Sequence, residues 1–174
     1  GRPHPFEYTL PVASAQVKSA LIFAALFVNG TSVISELRAT RDHTERMLVL
    51  MNADIRQKNL LRKNSIMING KKELTPLNID IPGDISSAVY FIVASLVTPR
   101  SEVTVNNVLL NPTRSHILDV LMRMGGKIEV EVSDDFPEPR GKVKAKTSSL
   151  KGINIQGVEV PLQMPSGRAK EPLP

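Results

Sequence analysis

One stretch of this chain is written twice. Thr40–Ile55, TRDHTERMLVLMNADI, aligns without a gap on Thr113–Ile128, TRSHILDVLMRMGGKI. Identities fall at Thr40/Thr113, Arg41/Arg114, His43/His116, Met51/Met124 and Ile55/Ile128. Upstream, LPVASAQVKSALIFAALFV pairs more loosely with IPGDISSAVYFIVASLV, each a proline, a small polar segment and an apolar run. Two matches in the same order imply a duplicated unit of about seventy residues. That constrains the fold strongly, because both copies must satisfy one architecture.

Each copy reads alike. A short strand (Glu7–Leu10; Leu77–Ile81) leads to a proline, then an apolar helix (Gln16–Val28; Ser86–Val97). Ala, Leu and Phe on nearly all faces of these helices predict burial rather than amphipathic packing. A strand rich in β-branched residues follows (Thr31–Ser35; Glu102–Asn106). The second helix of the first copy opens on Asp42-His43-Thr44-Glu45, which reads as a capping box: Asp42 accepts from free amides and Glu45 reaches back. Its counterpart starts near Ser115, and the two helices end before Asn52 and Gly125-Gly126. Two strands close each unit, Ile55–Lys58 with Ser65–Asn69, and Lys127–Val132 with Lys142–Lys146. The expected fold class is therefore α/β, built from repeated βαβαββ units. A third unit begins at Val158 with VEVPLQMPS, and the chain from Gly167 reads as a disordered tail.

Composition removes several chemistries. The 174 residues include no cysteine, which excludes disulfides, thiol nucleophiles and cysteine-ligated metals. The only histidines are His4, His43 and His116, so no metal site is expected. Ala20–Val28, the longest apolar run, is about half a bilayer span. The net charge of +5 favours anionic ligands, while 4% aromatics offers little for stacking bases. No GxGxxG, GxxxxGK[ST] or GxSxG element occurs. A reducing, cytoplasmic setting without membrane attachment is expected.

Two places offer chemistry for an anion. The first is SAQVKS, Ser14–Ser19, at a helix start, where free amides and the positive dipole end favour negative groups. Ser14, Gln16 and Lys18 would complete such a pocket; the alternative is a plain N-cap serine followed by solvent-facing polar residues. The second is Arg41, whose fork suits phosphate or carboxylate, against the alternative of a surface arginine near a helix start. His43 and His116 read as helix-start residues. Asp84 reads as an N-cap or as a carboxylate facing a cleft between the units.

LPVASAQVKSAL, TRDHTERML, IDIPGDISSA and NPTRSHILDVLMRMGGKIEV, in this order, resemble the central part of the 5-enolpyruvylshikimate-3-phosphate synthase family (3-phosphoshikimate 1-carboxyvinyltransferases). The resemblance runs from about Tyr8 to Ser166 and covers some two-fifths of the usual enzyme. It implies the enolpyruvyl transferase fold, with two lobes of βαβαββ units each only partly present. Residues 1–77 would be the last unit of the shikimate-phosphate lobe and 78–83 the inter-lobe crossing. Residues 84–157 would be the first unit of the other lobe, and 158–174 a truncated further unit with its tail.

The family transfers the enolpyruvyl group of phosphoenolpyruvate to the 5-hydroxyl of shikimate 3-phosphate and releases phosphate, without cofactor or metal. By resemblance, Ser14, Ala15, Gln16 and Arg41 bind shikimate 3-phosphate, and Gln16 also meets phosphoenolpyruvate. Ala15 stands where another branch has serine, so its contact would be through the backbone. The family's catalytic aspartate should follow MPS, where Gly167 and Arg168 stand, and its KExDR motif is absent. No catalytic residue is assigned in this chain. It reads as a fragment, inactive alone, whose partners are the two substrates and the remaining parts of the parent enzyme; nucleic acid and membrane are not expected partners. On the residues alone, a non-catalytic anion- or nucleic-acid-binding module is the alternative.

Overall fold

The computed structural model describes residues 4–60 and 63–155. Its elements in chain order are β1 (Glu7–Leu10), α1 (Ala15–Leu26), β2 (Thr31–Glu36), α2 (His43–Leu50), β3 (Asp54–Leu60), β4 (Lys63–Asn69), α3 (Ile85–Val97), β5 (Glu102–Leu109), α4 (His116–Arg123), β6 (Lys127–Asp134) and β7 (Arg140–Lys146). They form two units. The first runs to Ile81 and takes in Asp135–Glu138; the second begins at Pro82 and lacks that segment. The expected third unit and tail lie outside the described residues.

In the first unit the strands order as β1-β2-β4-β3, with β1 parallel to β2 and the other pairs antiparallel. Period-two alternation turns Ile66 and Ile68 of β4 and Ile34 of β2 to the face covered by the helices. There they meet Ile22 and Ala25 of α1 and Leu48 of α2. Each fully buried isoleucine contributes about 1.5–3 kcal/mol.

The second unit repeats the scheme with β5-β7-β6, all antiparallel. Val143 and Ala145 of β7 take the places of Ile66 and Ile68, beneath Ile92 and Leu96 of α3 and Leu118 and Leu121 of α4. Leu48 and Leu121 are a further identity in the repeat frame, and both are buried.

Two expectations require correction. Leu77–Ile81 forms no strand; a single parallel bridge, Gly83 to Val108, stands in its place. Gly83 exchanges backbone bonds with Asn107 and Leu109, and Pro82, which has no amide to donate, interrupts the donor row just before it. Nor are the apolar helices buried on all sides. One sheet covers one helix face: α1 buries Lys18, Ile22 and Ala25 while exposing Val17 and Phe23, and α3 exposes Tyr90 and Phe91.

Candidate functional site

The start of α1 is built as its sequence demands. Ser14 has extended backbone and its hydroxyl accepts from the Val17 amide at 3.3 Å, while its carbonyl accepts from the Lys18 amide at 3.0 Å. These bonds leave the Ala15 and Gln16 amides at the helix tip without an intrahelical acceptor.

Lys18 does not face that tip. Four residues on from Ser14, it lies on the core side of α1 and is 1% exposed. Its ammonium donates to Glu45 Oε1 at 2.8 Å, to Glu36 Oε1 at 3.4 Å and to the Thr40 carbonyl at 3.4 Å. This corrects its expected place in the anion pocket, and the capping box falls with it. Glu45 is drawn beneath α1 as a counterion, and the Asp42 carboxylate, instead of capping amides, accepts from Arg46 Nε at 2.8 Å. A buried ammonium demands counterions more strongly than a helix start demands a cap.

Glu36 also accepts from the Thr40 amide at 3.2 Å and from the Thr40 hydroxyl at 2.8 Å. Thr40 is thus held from both sides, and Arg41 follows it. Arg41 lines a cavity of about 240 Å³ together with Ala15, Gln16, Ser19, His43 and Thr44. Ser14 stands one residue behind this wall as the cap. Ser19 and Thr44 share a hydrogen bond at 2.7 Å, which closes α1 onto α2 at the cavity floor. Ser19 belongs to the SAQVKS segment, four residues from Ala15 on one helical face, whereas the sequence reading does not anticipate His43 and Thr44 as lining residues.

The second unit places the same parts together differently. Asp84 caps α3, accepting from the Ser86 amide at 3.0 Å. Arg114, the repeat partner of Arg41, donates to Asp84 at 2.9 Å and to the Ser86 hydroxyl at 2.7 Å. The Ser86 amide, followed by Arg114, holds the Asp84 carboxyl below the usual aspartate range. The arginine of this unit is therefore occupied by the unit's own carboxylate. In the first unit Ser14 stands where Asp84 stands, and among the described residues no carboxylate pairs with Arg41.

His43 and His116 both begin their helices, as expected. Among the described residues one group offers metal-type atoms within 4.8 Å of each other, Asp42, His43 and Glu138. Its atoms are already engaged: His43 Nδ1 lies 2.7 Å from Glu138, and the Arg46 guanidinium occupies Asp42. A cation beside the cluster argues against a second one within it. No helix among the described residues is long and apolar enough to cross a membrane.

In fold the chain matches the enolpyruvyl transferase NikO from Streptomyces tendae, with a TM-score of 0.57 over 82% of this chain and 35% of that one, at 19% identity. It matches EPSP synthase from Acinetobacter baumannii more strongly, with a TM-score of 0.75 and 37% identity over 88% of this chain and 34% of that one. The fold is thus that of the enolpyruvyl transferases. The family model for EPSP synthase (3-phosphoshikimate 1-carboxyvinyltransferase) matches residues 2–164, and the chain belongs to that family. Among its relatives, the 3-phosphoshikimate 1-carboxyvinyltransferase of Enterococcus faecalis is 46% identical over 90% of this chain. That of Bacillus subtilis is 44% identical over 89%. The chain spans 36% of the length of the Enterococcus relative.

Lys18→Met should cost about 3–5 kcal/mol, because it leaves Glu36 and Glu45 buried without their cation; chemical denaturation measures it. Asp84→Ala should cost about 1 kcal/mol at pH 7 through the lost cap. Because folding lowers the Asp84 pKa, its contribution is full above the ordinary carboxylate range near pH 4 and fades as pH falls through the lowered value. Melting curves of parent and variant should therefore differ at pH 7 and converge toward pH 2.

Proposed function

We propose that this chain supplies the shikimate 3-phosphate side of an active site that transfers the enolpyruvyl group from phosphoenolpyruvate to the 5-hydroxyl of shikimate 3-phosphate, releasing phosphate. The reaction serves aromatic amino-acid synthesis in the cytoplasm. One observation carries the reading. The arginine that is neutralised internally by Asp84 in the second unit lines, in the first, a cavity beside an α-helix tip and has no carboxylate partner among the described residues. A phosphate or carboxylate of the substrate would take the place that the Asp84 carboxylate holds in the second unit. Family membership supports shikimate 3-phosphate as that anion.

The contribution of each residue is binding and orientation. The Arg41 fork takes phosphate oxygens, and the amides of Ala15 and Gln16 add donors at the positive end of α1. The Gln16 side chain, exposed at the same wall, reaches the ring or the second substrate. Holding one anion in a fixed pose lowers the entropic barrier to its reaction with the other. Proton transfer to the methylene carbon and elimination of phosphate belong to groups of the parent enzyme beyond those assigned here. In the same reading residues 1–77 close the shikimate-phosphate lobe, 78–83 cross, and 84–157 open the other lobe.

Titration of the chain with shikimate 3-phosphate, followed by amide NMR, should move Ser14, Gln16 and Arg41 with a millimolar dissociation constant. Arg41→Ala should weaken that binding roughly ten- to a hundredfold, the worth of a charged hydrogen bond. Arg114→Ala should leave it unchanged. Shifts confined to residues 100–150 would contradict the reading.

A further inference from the structure

The two units allow a comparison that a single copy would not. Aligned on their N-caps, Ser14 and Asp84, α1 and α3 bury matching positions: Ile22 with Ile92, Ala25 with Ser95, and Lys18 with Ala88. In the repeat frame of the second helices, Glu45 matches Leu118. Strand register gives the third match. Glu36 lies opposite Asn64 on β4, and Val108 lies opposite Gly141 on β7, each two residues before the first of the paired core positions, Ile66/Ile68 and Val143/Ala145. The buried ionic trio Lys18, Glu36 and Glu45 of the first unit is thus an apolar trio, Ala88, Val108 and Leu118, in the second.

The same fold is therefore built with and without these charges. An apolar trio is the less costly solution, because burying ions forfeits more hydration than their attraction returns. What the ionic trio adds is direction. Apolar contact has no preferred geometry, whereas Glu36 fixes the amide and hydroxyl of Thr40 while Lys18 fixes its carbonyl. In the second unit Thr113 is held locally instead, its amide and hydroxyl donating to Asn111 Oδ1 at 2.9 and 2.7 Å, and Arg114 is further held by Asp84. Arg41 has neither device among the described residues.

We propose that Lys18, Glu36 and Glu45 form a positioning device for Arg41, holding Thr40 so that the guanidinium stands over the helix tip before any ligand arrives. The inference rests on the anion-site reading for its purpose but not for its structure, and the two can be tested apart. A buried network pre-pays the ordering of Arg41 that a ligand would otherwise have to meet on binding.

The test grafts the second unit's solution into the first: Lys18→Ala, Glu36→Val and Glu45→Leu together, in the full chain. The variant should fold, with a melting temperature equal to or above the parent's. Its Thr40 and Arg41 amides should lose order in the ligand-free protein, seen as heteronuclear NOE values falling from those of the flanking helices to those of mobile loops. Its dissociation constant for shikimate 3-phosphate should rise at least tenfold. Thr40→Val, which removes the hydroxyl donor, should weaken binding in the same direction without lowering the melting temperature, and Thr40→Ser should restore it. A triple variant that cannot fold would show that the charges serve the fold, overturning the proposal. So would one that folds with Arg41 as ordered as in the parent. If the parent itself fails to bind shikimate 3-phosphate, the substrate reading is lost, while the NOE comparison still decides the positioning role.

Discussion

A single buried ammonium organises the first unit. Lys18 lies on the face of α1 that the sheet covers, and it can be there only because Glu36 at the end of β2 and Glu45 in the first turn of α2 converge on it. The requirement to neutralise one cation in a dry interior thereby gives a directed geometry to a junction that the second unit fills with apolar side chains. Around it α2 lies against α1, and the Ser19–Thr44 bond joins the two helices. It also sets the path of the short segment between β2 and α2, the segment that carries Thr40 and Arg41. Other features of the site follow from this arrangement: the cavity is bounded by α1 on one side and by the start of α2 on the other.

The duplication separates what the fold needs from what the site needs. Both units bury the same aliphatic positions on their helices and strands, and both stack two helices on one sheet face. They diverge in charge. The second unit closes its own circuit, with Arg114 answered by Asp84 and Thr113 answered by Asn111. The first leaves Arg41 open and invests its carboxylates in Lys18. A repeated scaffold has thus kept one copy self-sufficient and left the other, among the described residues, with an arginine that no carboxylate answers. That difference is the ground on which the first unit, and not the second, is proposed as the holder of an anionic substrate.

Much of the architecture was legible because its causes are local. The repeat, the helix starts at Ser14 and Asp84, and the alternating strands follow from caps and periodicities spanning a few residues. The failures share a different character. Asp42 and Glu45 have the spacing of a capping box, yet Arg46 and Lys18 claim them. Leu77–Ile81 has a strand's composition, yet no strand forms there and the bridge falls at Gly83. The apolar runs of α1 and α3 suggested burial all round, although one sheet covers only one side of a helix.

By itself, the sequence determined the class of fold, the identity of the repeated unit and the residue types gathered at the start of α1. It also determined that Arg41 and Arg114 are counterparts. Tertiary structure decided that Arg114 pairs with Asp84 while Arg41 meets no carboxylate among the described residues, and that Lys18 turns inward. The physical reason is the range of the forces involved. Helix caps and side-chain periodicity are settled by neighbours in the chain, whereas a buried charge is settled by whichever opposite charge the fold brings within hydrogen-bonding reach, and Glu36 and Glu45 reach Lys18 from other elements of the chain.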